Sequence, residues 1–378
     1  MTYFPVTTGL DHAVGAGFPF LNGKTVALVT NHTGHTAEGL SVVDLLHAAP
    51  NVKLVSLFTP EHGLRGQDDD AVSDGVDVAT GLPVCSLYGP RQQPEASQLK
   101  EIDLLVYDIQ DAGCRFYTYI STLLGCMKAA STTGTGLLIL DRPNPLGGAA
   151  IEGPLPDPDK LSFVACHNIP LRHGLTVGEL ACLFNHELSL NVDLTVEPVR
   201  GWQRRMMWSD TLLPWVNPSP NLRSPAQALL YPGAALCEFT NIAVGRGTDT
   251  PFQLIGAPWI DGRLLALKLH SQELGIAVSP VRFVPRARQY EDEMCGGILL
   301  EVTDVTRVQP VAFGLRLVLA LLNLYPEQWQ PENLMTLLAN ESVYNHLLAG
   351  TTATDIEESW QPTLQRYRER IEPYLIYH

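Results

Sequence analysis

Residues 25–34 read TVALVTNHTG, and the junction within them decides the fold. An apolar run of strand length, without polar alternation, suits a strand covered on both faces, as in a parallel sheet flanked by helices. Three more such runs follow at 52–58 (VKLVSLF), 102–107 (IDLLVY) and 136–140 (GLLIL). Between them, residues 40–48 and 116–130 space their apolar side chains by three and four, as a helix lying on a sheet requires. Strand, helix, strand, repeated, predicts an α/β fold.

After Gly153 the chain turns proline-rich, with Pro154, Pro156, Pro158, Pro214, Pro218, Pro220 and Pro225 marking irregular connections. Farther on, helices are expected at 262–274, 311–324, 332–338 and 357–371, and strands near 281–284 and 298–302. A length of 378 residues fits about two domains. The expected division is an α/β parallel-sheet domain over 1–225 and a smaller α+β domain over 226–378.

The formal net charge of -15 argues against a nucleic-acid partner, because phosphate contact needs clustered Lys and Arg. A few local arginines can still hold one anionic group. Seven widely spaced cysteines without a Cys-x-x-Cys pair read as reduced thiols in the core. Residues 311–324 are apolar but contain Arg316 and fall short of the ~20 residues of a membrane span, so they read as a buried helix and no membrane partner is expected. The start of the chain lacks the basic and apolar segments of a secretory signal, and a cytoplasmic location is expected.

In open α/β sheets, ligands bind at the carboxyl ends of the strands. Just past the four expected strands stand Asn31 and His32; then Glu61 and His62; then Asp108, Gln110 and Asp111 with Arg115; then Asp141, Arg142 and Asn144. One polar strand end is commonly a helix cap or turn. Four in succession point to a site. No Gly-x-Gly-x-x-Gly or Gly-x4-Gly-Lys-Ser/Thr is present, so no nucleotide cofactor is expected. Asp68-Asp69-Asp70 reads as a solvated loop, and no metal is proposed. Carboxylates, amides and aromatics suit glycoside chemistry, in which a carboxylic acid protonates the glycosidic oxygen. Glu61 is the leading acid, with burial expected to raise its pKa. Gly245-Arg246-Gly247-Thr248 is either a carboxylate clamp or a simple turn.

These motifs occur in a recognisable order. They include Val29-Thr-Asn-His-Thr-Gly34, Phe58-Thr-Pro-Glu-His-Gly63, Leu87-Tyr-Gly89, Asp108-Ile-Gln-Asp111, Arg115-Phe-Tyr-Thr-Tyr119 and Asp141-Arg-Pro-Asn-Pro-Leu-Gly-Gly148. They continue with Glu152-Gly-Pro154, His173-Gly174, Pro218-Ser-Pro-Asn221, Tyr231-Pro-Gly233 and Gly245-Arg-Gly-Thr248. Over nearly its whole length the chain resembles the NamZ-type exo-β-N-acetylmuramidases. The resemblance implies a Rossmann-like catalytic domain without a dinucleotide, an auxiliary carboxyl-terminal domain closing the cleft, and release of N-acetylmuramic acid from non-reducing ends. It makes Glu61 the catalytic residue and a small carbohydrate the partner, a muropeptide or a disaccharide of N-acetylmuramic acid and N-acetylglucosamine.

The catalytic candidates are therefore Glu61, His62 and Asp111. To the substrate-binding candidates at the strand ends, Asn31, His32, Asp108, Gln110, Arg115, Asp141, Arg142 and Asn144, the matching motifs add Tyr117, Tyr119, His173, Asn221, Asn241 and Arg246. His32, Asp111 and Tyr119 should converge near Glu61. Arg115 and Arg246 are the leading partners for the lactyl carboxylate, Arg115 being alternatively a structural partner of Asp108 or Asp111. Two departures stand out: many relatives carry a secretory signal, and Phe239 occupies a position where glycine is expected. A non-catalytic sugar-binding protein is the competing reading, and a sugar deacetylase or esterase is disfavoured by the missing Gly-x-Ser-x-Gly.

Overall fold

In the computed structural model, which describes residues 5–65, 73–270 and 274–378, the opening run becomes strand β1 (Lys24–Thr30). In chain order it is followed by β2 (Val52–Thr59), β3 (Gly75–Val76), β4 (Pro83–Ser86), β5 (Leu104–Asp108), β6 (Gly136–Leu140) and β7 (Leu194–Glu197). These seven form one sheet in the order β3-β4-β2-β1-β5-β6-β7, parallel throughout except for the β3–β4 pair. Side chains of β1 alternate between two cores. Val26 and Leu28 pack with Leu46 and Leu57, while Ala27 and Val29 pack with Phe58, Tyr107 and Ile139. That two-sided burial is why β1 reads as an unbroken apolar run.

The strand order gives the sheet a switch point. From β1 the chain goes outward through β2 to β4, then returns to lay β5 on the other side of β1. Loops leaving β2 and β5 thus diverge around β1, which opens a crevice at the carboxyl edge.

Beyond the large sheet, β8 (Leu254–Ala257), β9 (Ile276–Phe283) and β10 (Cys295–Val302) form an antiparallel sheet in the order β8-β10-β9. The molecule is mixed α/β, with a mostly parallel sheet followed by this smaller α+β part. Here the helix expected at 332–338 divides into a 3-10 turn (Glu332–Leu334) and a short helix (Met335–Leu338). The last long helix begins at Ala353, ahead of the expected 357, because Thr352 caps it by accepting from the Asp355 amide. Asp68-Asp69-Asp70 and the end of the helix expected at 262–274 lie outside the described residues.

Within this second part the helix Pro225–Ala234 crosses the helix Pro310–Leu324. A Cβ at Gly233 would lie 1.8 Å from the Pro310 carbonyl oxygen, and one at Gly314 would lie 2.8 Å from the Gly233 Cα. Backbone faces backbone there, so no side chain can yield. Gly233→Ala should destabilise the fold by about 3 kcal/mol, read as a lowered denaturant midpoint at unchanged slope. A loss below about 0.5 kcal/mol would contradict this packing.

Candidate active site

Glu61 leaves β2 through Pro60, at the carboxyl edge of the sheet. Behind it, His62 (φ 71) and Gly63 (φ 69) are consecutive left-handed residues. Glycine adopts that conformation freely, but a buried histidine does not, at a strain of about 1 kcal/mol. The chain therefore turns sharply just after the carboxylate that the sequence singles out.

Thr118 stands at the N-cap of the helix Tyr119–Thr133 yet makes no capping bond with its side chain. Its hydroxyl donates instead to Glu61 Oε2 at 2.6 Å. Tyr88, just past β4, supplies a second hydroxyl to Glu61; burial and then the Glu61 charge raise the Tyr88 phenol to about 12. Tyr88 is thus a neutral donor across the working pH range.

Glu61 lines a cavity of about 130 Å³ whose opposite wall comes from the second part of the chain. Phe116, Tyr117, Tyr231 and Phe252 form its aromatic floor. Ring centroids lie 5.1 Å apart for Phe116–Tyr231, 5.9 Å for Tyr117–Tyr231 and 4.7 Å for Tyr231–Phe252, all edge to face. Arg246 and Glu238 face one another there as an ion pair at 2.7 Å. Phe239, the departure from the expected glycine, stands 47% exposed on the same wall. Arg288, in a left-handed conformation between β9 and β10 (φ 69), adds its field to that of Arg246 at Tyr88.

Of the residues singled out from the sequence, Glu61, His62, Tyr117 and Arg246 line this cavity. Tyr119 and Asn31 stand directly behind it. Asn31 Nδ2 donates to the Tyr119 hydroxyl at 2.9 Å, and that hydroxyl donates to the Pro218 carbonyl. The Glu61 charge reaches Tyr119. His32 bonds through Nε2 to the Asn217 carbonyl oxygen, and burial lowers its pKa, with His62 adding to the effect.

Other candidates are absorbed by the scaffold. Asp108 is fully buried and bound by Arg142 through Oδ1 at 2.6 Å and Oδ2 at 2.9 Å. Asp141 accepts from Thr176, Tyr377 and the amides of Gly178 and Arg142, with burial raising its carboxyl to about 6. Asn144 bonds the Leu175 carbonyl and the Leu146 amide, and Gln110 donates to the carbonyls of Asp111 and Pro143. Asn241 joins Gln328 to Gln330 within the second part, away from the cavity. Asn221 is buried beside Ser219, which is itself on the cavity wall.

Asp111 and Arg115 depart furthest from their expected roles. Asp111 is buried beside the fully buried His173, 3.6 Å from Oδ2 to Nε2, and neither residue reaches the cavity wall. Arg115 is fully enclosed. Its guanidinium donates to the carbonyls of Pro154 (2.9 Å), Ile169 (3.4 Å), Leu337 (2.7 Å) and Leu338 (2.8 Å). It therefore ties the two parts together through backbone, with Asp108 and Asp111 bound elsewhere. Burial lowers its pKa to about 10.

Sequence reasoning did not select Thr118, Tyr88, Tyr231 or Glu238, although the first three lie inside motifs it quoted. Their roles depend on contacts between distant segments; 57 positions separate Thr118 from Glu61. Among the described residues, no three His, Cys, Asp or Glu side chains are placed to share a metal ion. All seven cysteines are free thiols, and no helix among the described residues is long and apolar enough to cross a membrane.

Comparison with known proteins accounts for almost the entire chain. Residues 26–226 match the N-terminal family model of the exo-β-N-acetylmuramidase NamZ, and residues 229–377 match its C-terminal model. The peptidoglycan β-N-acetylmuramidase NamZ of Bacillus subtilis (strain 168) is 42% identical, over 98% of this chain and 91% of that one. The crystal structure of a DUF1343 family protein from Bacteroides fragilis NCTC 9343 superposes with a TM-score of 0.92 at 34% identity, covering 99% of both chains. A second such protein from the same organism gives 0.82 at 30% identity, again over 99% of both. The chain belongs to the NamZ family of exo-β-N-acetylmuramidases.

Proposed function

We propose that the chain is a glycoside hydrolase that removes N-acetylmuramic acid from the non-reducing ends of peptidoglycan fragments, with Glu61 as general acid. The observation that carries this reading is the placement of Glu61, held by the hydroxyls of Thr118 and Tyr88 on the wall of an aromatic-floored cavity. A protonated Glu61 gives its proton to the glycosidic oxygen as the bond to the anomeric carbon lengthens. As the carboxylate forms, both hydroxyls strengthen their bonds to it, so the stabilisation grows along the reaction coordinate.

The substrate's distinguishing group is the lactyl ether carboxylate. Arg246 supplies a cation on the cavity wall, already oriented by Glu238. A guanidinium can keep one carboxylate partner and bind a second through its remaining N–H groups. Arg246→Ala should lower kcat/KM on a muramide by ~10²-fold, the equivalent of a charged hydrogen-bond pair, and change the matched glucosaminide far less. Equal losses on both substrates would remove Arg246 from lactyl recognition.

A cytoplasmic setting is the reading that seven free thiols support, since disulfides are rare there. The competing binding-only reading is tested by incubation with a chromogenic muramide. Release of chromophore with repeated turnover supports hydrolysis, whereas saturable binding without release supports binding alone.

A further inference from the structure

A second cavity, of about 530 Å³, lies between the two parts of the chain and shares no described residue with the Glu61 cleft. One wall comes from segments after β6 and β7, the other from the approach to the helix Pro310–Leu324 and one face of the helix Ala353–Ile371. Among the described residues, Arg172, Arg204, Arg205, Arg307 and Arg368 line it, against two carboxylates, Glu152 and Glu357. Such a gathering of cations in a chain of formal net charge -15 is an electrostatic feature in its own right.

Two of the lining residues, Arg172 and Glu357, each bury a polar atom that has no hydrogen-bond partner. Arg172 is buried; its Nη1 donates to Glu152 Oε1 at 2.6 Å and its Nη2 to the Leu146 carbonyl, while its Nε has no hydrogen-bond partner. The other Glu152 oxygen accepts the Val311 amide in the first turn of its helix, so that carboxylate is already satisfied. Glu357 Oε1 is buried and has no hydrogen-bond partner. Arg204 is held by Glu179 at 2.7 Å, whereas Arg205, Arg307 and Arg368 are exposed on the lining.

These features specify a ligand. The guanidinium groups call for negative charge. The carboxylate of Glu357 on the same lining calls for a donor beside that charge, which a hydroxyl supplies. We propose that this cavity binds a small hydroxylated anion, a sugar acid or a sugar phosphate, that bridges the two parts of the chain. The proposal is independent of the reaction assigned to Glu61.

Calorimetric titration of the full-length protein with glucose 6-phosphate, N-acetylmuramic acid and N-acetylglucosamine tests it. Saturable binding of glucose 6-phosphate would identify a sugar-phosphate site. A second equivalent of N-acetylmuramic acid, beyond the one taken by the cleft, would identify a sugar-acid site. In either case the Arg205→Glu, Arg368→Glu double variant should weaken that binding roughly tenfold or more, with hydrolysis of a chromogenic muramide in the absence of added ligand within twofold of wild type. The milder Arg368→Gln should weaken it in the same direction. The proposal is overturned if glucose 6-phosphate fails to bind and N-acetylmuramic acid binds at one site or none. It is equally overturned if the arginine substitutions leave the affinities unchanged, or if uncharged N-acetylglucosamine binds the cavity as tightly as the anions.

Discussion

Glu61→Gln should lower kcat on N-acetylmuramic acid glycosides by ~10²-fold or more while leaving KM within a few-fold. The amide keeps the size of the side chain and an oxygen able to accept from Thr118, so the cavity wall survives. What is lost is the transferable proton. The deficit should shrink on substrates whose leaving group is already acidic, because an aryl oxide departs with little protonation. A variant with turnover within a few-fold of wild type would remove Glu61 from the mechanism, and an equal deficit on acidic and basic leaving groups would reassign it from proton donor to another role.

Arg115→Met should destabilise the protein by about 3 kcal/mol, because buried carbonyl oxygens of Pro154, Leu337 and Leu338 lose their donor together. For a chain of this size that lowers Tm by roughly 4 °C. The muramide-over-glucosaminide preference of the folded variant should stay unchanged, since the guanidinium is sealed away from the cavity. Loss of that preference at unchanged Tm would return Arg115 to the carboxylate-clamp role that the sequence suggested for it.

The contrast between Glu61 and Arg115 shows what the sequence made legible. Strands buried on both faces announce themselves, so β1 and β6 were readable as TVALVT and GLLIL. The four-residue strands β4 and β7 were not, since Pro83 opens one and partly exposed side chains dilute the other. The strand-end rule located Glu61 because a polar group after a buried run must meet either solvent or a partner. The same rule cannot separate a group facing a cleft from one sealed beneath it. Asp108 with Arg142, and Asp141 with Thr176 and Tyr377, satisfy it equally well as internal struts. Family motifs enlarged the candidate set without making that distinction, and Asn241 and His173 were included for that reason. The partners of Glu61 are a threonine that forgoes its capping bond and a tyrosine just past the short strand β4, residue types with no local signature.

The central claim is that this cavity cleaves a terminal β-linked N-acetylmuramic acid from its neighbour. The most direct measurement is the product pattern, by mass spectrometry, from the disaccharide of N-acetylmuramic acid linked to N-acetylglucosamine and from a longer peptidoglycan chain, using the wild-type protein and Glu61→Gln. The wild type should convert the disaccharide to its two monosaccharides and release free N-acetylmuramic acid from the longer chain's non-reducing end, while Glu61→Gln leaves both substrates largely intact. An intact disaccharide with the wild type, or internal fragments from the longer chain without free N-acetylmuramic acid, would contradict the account.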